Sequence, residues 1–381
     1  MMLKRNWTCS ADDGFLRTRN AAASGSRRAF LAGLTATPFL MPHPALAVRR
    51  AETILSQIPL DAAPGIAAGA VRKGRIVAAG GAGTKGNAAS VPDAQTIFEI
   101  GSLTKTFTAS LIFQLQEEGL LRIDAPIETY VSDIPATWRN IRLSQLLSHT
   151  SGLPEYLNGD NFRLLMPQEL KPRQILALVA DRPNSFAPGE RHEYNNTGFI
   201  LLGMAAEAVT RENYWNLLRQ RFFGPAGMSS TGPRDRIPCR NRCASGHFWS
   251  EGRYDDDPPR SAAGSTWAAG GLLSTVADIN RWSVALDQGR ILSSGVRRKM
   301  WRSASLSNGQ PAGWGFGWEV DEVDGRTIVS HGGGTAGFSC WYRRDLDEPL
   351  STIVLTNQNG RADPKVMTDA LLKAIKLGDR S

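Results

Sequence analysis

Ser102 and Lys105, three residues apart, open the apolar stretch FEIGSLTKTFTASLIF in a chain of 381 residues. In a helix that spacing puts both side chains on one face, one turn apart. A serine hydroxyl is a poor nucleophile until a base takes its proton. A lysine serves as that base if burial and neighbouring positive groups bring its pKa from about 10.4 toward roughly 7 to 8. Lys105 is the one charged residue between Glu99 and Glu117, and an isolated lysine in apolar surroundings is the kind whose pKa falls. With 29 serines and nine lysines, a chain of this length holds about one such pair by chance, so other residues must support the reading.

Two further groups of residues supply chemistry. In APGERHEYNNTGFILLG, Tyr194 is placed to relay a proton and Asn196 to hold a substrate through its amide. Tyr156-Leu157-Asn158 repeats the Tyr-x-Asn spacing and competes for the same role. In HGGGTAGFSC, His331 ends a β-branched run and is followed by Gly332, Gly333 and Gly334. Glycines inside a strand mark close backbone approach. An acyl group lying along that strand would receive the Gly334 N–H as half of an oxyanion hole, with the Ser102 N–H as the other half.

The elements that must carry these residues follow from periodicity. Apolar residues Phe107, Leu111, Ile112 and Leu115 fall at helical spacing over 102–118, and Gly119 supplies a stop. The same pattern predicts helices over 143–147, 172–180, 197–209, 214–223, 276–286 and 363–376. Strands are expected on both sides of a turn at Lys73-Gly74, where a sheet edge is predicted, and in GWGFGWEV, RTIVSHGGG, GFSCWYRR and STIVLTNQ. Strands, then helices, then strands again imply a sheet made from both chain ends with a helical lobe inserted.

Composition narrows the class. The 41% hydrophobic content supports a substantial core, and no apolar run reaches the roughly 18 to 20 residues of a membrane-spanning helix. Residues 1–47 hold six Lys/Arg and two Asp/Glu, half of the net charge of +8. The remainder is a weak field, with no basic runs interleaved with aromatics, so no nucleic-acid partner is expected. Arg27-Arg28, an apolar stretch and Ala45-Leu46-Ala47 read as an export signal of twin-arginine type over 1–47, implying a periplasmic or secreted product. Cys239 and Cys243 are placed either to close a small loop or to remain two thiols, and no further ligands make them a metal site. No Gly-x-Ser-x-Gly elbow, P-loop or dinucleotide fingerprint is present.

Taken in order, Ser-x-x-Lys, Tyr-x-Asn and His-Gly-Gly resemble the motifs of the serine β-lactamase and penicillin-binding-protein superfamily, nearest to class C β-lactamases, related D,D-carboxypeptidases and esterases of that fold. FEIGSLTKTFTA, LLSHTSGLPEY, FGPAGMSSTG and AAGGLLSTVADINRW look like its recurrent segments. The resemblance spans nearly all of 52–375. It implies a β-lactamase/transpeptidase-like fold of α/β and all-α parts in a single domain over 48–378: an α/β lobe over about 48–96 and 265–378, with an antiparallel sheet flanked by helices, and a helical lobe over about 97–264. It implies Ser102 as acylated nucleophile, Lys105 as proton acceptor and Tyr194, rather than Tyr156, as general base and acid. Asn196, His331, Gly333 and Gly334 take the substrate and oxyanion positions. His331 and Gly332 stand where β-lactamases carry lysine and threonine, which leaves less charge for a substrate carboxylate.

The expected activity is therefore a serine hydrolase acting on an ester or D-amino-acid amide, with weak or no β-lactamase activity. Its partner is a small-molecule or peptide substrate, and no metal or organic cofactor is implied. A class C-type β-lactamase, a non-catalytic penicillin- or cell-wall-binding protein and an acyltransferase are the alternatives.

Overall fold

The computed structural model describes residues 64–86, 90–255 and 260–377; the export signal expected over 1–47 lies outside them. Strands β1 (Gly65–Arg72) and β2 (Arg75–Gly83) form a hairpin. Its turn residues, Lys73 and Gly74, have φ of 47° and 71°, the left-handed pair that matches hairpin twist. Near the other chain end come β3 (Glu319–Val323), β4 (Arg326–Gly334), β5 (Ser339–Asp345) and β6 (Leu350–Thr356). The six strands lie in the order β2-β1-β6-β5-β4-β3, antiparallel throughout. Both chain ends thus build one sheet. Of the N-terminal pair only β2 is at the edge; β1 is interior, with Ile66 opposite Thr356 of β6.

Five helices matter for the site: α1 (Thr104–Glu117), α2 (Thr197–Thr210), α3 (Ala263–Gly270), α4 (Val276–Asp287) and α5 (Pro364–Leu377). Helix α5 covers one sheet face, packing Met367, Leu371 and Ile375 with Ile66, Ala68 and Val354. Alternate residues Ala67, Ile353 and Leu355 point the other way into the large core that includes α1 and α2. A strand buried on both faces has no reason to alternate, which explains the unbroken apolar run of β6. No helix among the described residues is long and apolar enough to cross a membrane.

Helix α1 lies inside the molecule, with every residue from Thr104 to Phe113 buried. Its hydroxyls make this tolerable. Thr106 and Ser110 donate back to the carbonyls of Leu103 and Thr106, and Thr108 Oγ1 donates to Ala268 O at 2.7 Å. A plain surface helix would carry charge in place of these threonines.

Two segments at the site differ from the sequence expectation. GWGFGWEV is a strand only from Glu319 onward; Gly313 and Gly317 have φ of 69° and 77°, and the segment loops back over the site with Trp314. Helix α3 was not predicted, because SAAGSTWAAGG is too rich in small residues to show a period. It is kinked at Trp267, where φ is 35° and ψ is −118°. The Cys239–Cys243 pair is a disulfide. Its loop is stitched to the chain just ahead of Ser102, since Ile97 N–H donates to Arg242 O and Ala244 N–H to Ile97 O.

Candidate active site

Ser102 sits in a 3-10 turn, Gly101–Leu103, that leads into α1. Gly101 has φ +47°, and a Cβ there would lie 2.7 Å from both N and O of Gly334. Gly333 is equally constrained, because its Cβ would lie 2.0 Å from Ile100 O. The glycines of β4 thus let the Ser102 turn press against the strand, which is why the backbones of Ser102 and Gly334 border one cleft. Gly332 faces the opposite way, where a Cβ would strike the Trp341 ring, so its lack of a hydroxyl does not alter the face that His331 and Gly333 share.

Lys105 is fully buried and makes three contacts: Ser102 Oγ at 3.0 Å, Asn196 Oδ1 at 2.7 Å and Ala269 O at 2.7 Å. Burial lowers its pKa to about 7 against the opposing pull of Glu155. The geometry also fixes where the amine is basic. Amide and carbonyl oxygens only accept, so two N–H groups stay engaged in the neutral amine. Its lone pair can point only at Ser102. The Ala269 carbonyl is available because it lies in the last turn of α3, where carbonyls have no intrahelical partner, and Ala268 O accepts from Thr108 for the same reason.

Asn196 was expected to contact substrate, yet both ends of its amide are engaged. Oδ1 accepts from Lys105, and Nδ2 donates to Glu155 Oε1 at 3.2 Å. Glu155 Oε2 also accepts the Asn196 backbone N–H at 2.5 Å, and Oε1 accepts that of Leu157 at 2.8 Å. Burial raises the Glu155 pKa, which these bonds and Lys105 oppose. Sequence reasoning missed Glu155. The available signal was that it is the one acid between Asp133 and Asp160, inside a segment otherwise without charge from Leu143 onward.

Tyr194 is delivered by the segment ahead of α2. The neighbouring Asn195 caps that helix by accepting the Gly198 N–H, and its own N–H donates to His149 Nδ1. The Tyr194 ring stacks on His149 at 4.4 Å, and Lys105 Nζ lies 4.8 Å from the ring centre. Its buried hydroxyl reaches Ser102 without a well-formed hydrogen bond, and burial raises its pKa. The competitor, Tyr156, is 1% exposed and donates to Ser265 O at 2.9 Å, a core contact. His149, held neutral by burial and by Lys105, packs and caps.

His331 lies beside Tyr194 and Trp314, with ring centres 6.2 and 5.5 Å away. Trp314 also stacks on His192 at 5.2 Å, whereas Trp318 is core. The cleft at Ser102 has a volume of about 250 Å³ and is bordered by Asn158, Phe162, Thr266, Gly334 and Thr335 among others. Among the described residues that line it, none is acidic or basic. The hydroxyls of Thr266 and Thr335 are buried and without a partner.

The chain is similar to known proteins over most of its length. The chain is 27% identical over 296 residues to penicillin-binding protein 4* of Bacillus subtilis, covering 73% of this chain and 64% of that one. It is 28% identical over 320 residues to the D-aminopeptidase of Brucella canis, covering 81% and 58%. The chain thus spans about three-fifths of the length of these curated relatives. The structure of a D-stereospecific amidohydrolase from Streptomyces superposes with a TM-score of 0.72 at 26% identity, covering 87% of this chain and 98% of that one. The fold is the β-lactamase/transpeptidase-like one. A family model described as Beta-lactamase matches residues 57–376, and the chain belongs to that family.

Proposed function

We propose that this chain is an exported serine hydrolase that cleaves an amide or ester next to a D-amino acid through an acyl-enzyme. The observation that carries the reading is the buried Lys105 amine, 3.0 Å from Ser102 Oγ, with its other two hydrogens held by Asn196 and Ala269. Neutral Lys105 takes the Ser102 proton as Oγ attacks the carbonyl carbon. The oxyanion is received by the N–H groups of Ser102 and Gly334. As the intermediate collapses, Tyr194 gives its proton to the leaving group and takes one from Lys105. Water, deprotonated by the same pair, then releases the acid and restores Ser102.

The D-amide class is supported by the names of the relatives, a D-aminopeptidase and a D-stereospecific amidohydrolase. The uncharged cleft disfavours β-lactams, whose carboxylate finds no cation there. Export is supported by the Arg27-Arg28 leader and by the Cys239–Cys243 disulfide, a bond suited to an oxidising compartment. The test is covalent labelling with a fluorophosphonate. Labelling of the wild type that vanishes in Ser102→Ala is expected; an unlabelled wild type refutes the reading.

A further inference from the structure

Strand β4 crosses the site from His331 to Gly334, and its two ends meet different surroundings. Gly334 and Thr335 border the cleft beside Ser102, while His331 packs away from it against Tyr194 and Trp314. The Tyr194 hydroxyl reaches Ser102 and its ring centre lies 6.2 Å from that of His331, so a leaving group that takes its proton from Tyr194 departs on the side where His331 sits.

One contact sets the proton on His331. Nδ1 lies 2.6 Å from Gly332 O, and a carbonyl oxygen only accepts, so Nδ1 carries the hydrogen. In the neutral ring Nε2 then presents a lone pair. Burial, assisted by the charge of Lys105, keeps the ring neutral by lowering its pKa to about 3. Nε2 is buried and without a partner, and so is the neighbouring Tyr194 hydroxyl. Buried polar atoms left open beside a nucleophile are places for a ligand's own groups.

We infer that His331 Nε2 accepts the N–H of the scissile amide, so that the site selects amides over esters. The inference rests on the acyl-enzyme reading above and narrows its substrate. An amide nitrogen offers hydrogen to Nε2, whereas an ester oxygen sets lone pair against lone pair in a buried place. During collapse the C–N bond breaks, its electron pair stays on nitrogen, and the Tyr194 proton joins it. The nitrogen keeps its original N–H on His331 throughout. The substrates are therefore primary and secondary amides of D-amino acids; tertiary amides lack the required hydrogen.

The test compares D-phenylalaninamide, its N,N-dimethylamide and D-phenylalanine methyl ester on wild type, His331→Phe and His331→Gln. The wild type is expected to hydrolyse the primary amide at least about tenfold faster than the dimethylamide. His331→Phe should lower kcat/KM for the primary amide about 10- to 100-fold more than for the other two substrates. His331→Gln, which restores an acceptor, should recover part of that loss. Equal losses on all three substrates, or a wild type indifferent to N-methylation, would overturn the inference. Fluorophosphonate labelling of the same preparations separates the two claims, because fluoride leaves without any N–H. Undiminished labelling of wild type with no amide preference refutes the role of His331, and absent labelling refutes the acyl-enzyme.

Discussion

The two sides of Ser102 are built differently. On the base side every hydrogen of the Lys105 ammonium has a partner, and Asn196 is itself held at both ends by Lys105 and Glu155. On the substrate side the reverse holds: Tyr194 Oη, His331 Nε2 and the hydroxyls of Thr266 and Thr335 are buried with no partner. Fixed bonds on one side hold the base in a single geometry and place its lone pair on the nucleophile. Open bonds on the other leave groups whose pairing waits for a substrate. Proton handling is preorganised, and recognition is completed on binding.

Substitutions on the two sides should therefore fail in different ways. Lys105→Ala, the largest effect, is expected to slow acylation about 10³- to 10⁴-fold, the upper range for a general base. Circular dichroism and thermal melting check that it folds, and near-normal acylation by the folded variant would refute the base. Glu155→Gln should lower kcat about tenfold with little change in KM, since it frees the Asn196 amide to turn. It should also move the pH midpoint of acylation below about 7, because the Glu155 charge is what raises the Lys105 pKa. A midpoint that moves upward would break the assignment of Glu155 to the base side. Thr335→Val, the smallest effect, is expected to raise KM about three- to tenfold with kcat and melting temperature nearly unchanged. A lowered melting temperature with unchanged KM would place that hydroxyl among structural groups.

What could be read from the sequence follows the range of the interactions. Ser102 and Lys105 are joined by one helical turn, so covalent spacing alone proposes their contact, and the scarcity of charge in FEIGSLTKTFTASLIF predicts the burial that lowers the amine's pKa. The sheet from both chain ends was visible in the return of strand patterns after the helices. Tyr194 and Tyr156 share one local spacing and diverge only through tertiary packing, which puts the Tyr156 hydroxyl on Ser265 O and the Tyr194 hydroxyl at the nucleophile. Glu155 contacts Asn196 from 41 residues away, and no periodicity encodes that. The kink at Trp267 was equally invisible, because a bulky residue at φ 35° contradicts its own local preference and is held there by surrounding packing. The tautomer of His331 depends on a 2.6 Å contact to the next residue's carbonyl, a matter of strand geometry that residue types do not carry.

The central claim is that Lys105 is the base and that burial gives it a pKa of about 7. Its most direct test is the rate of Ser102 acylation by a non-ionising fluorophosphonate between pH 5 and pH 11. Only the neutral amine accepts the proton, so the rate should rise with pH, reach half its maximum near about 7 and stay level above about pH 8.5. A rise centred near about 10, the ordinary lysine value, or a rate independent of pH would contradict the account.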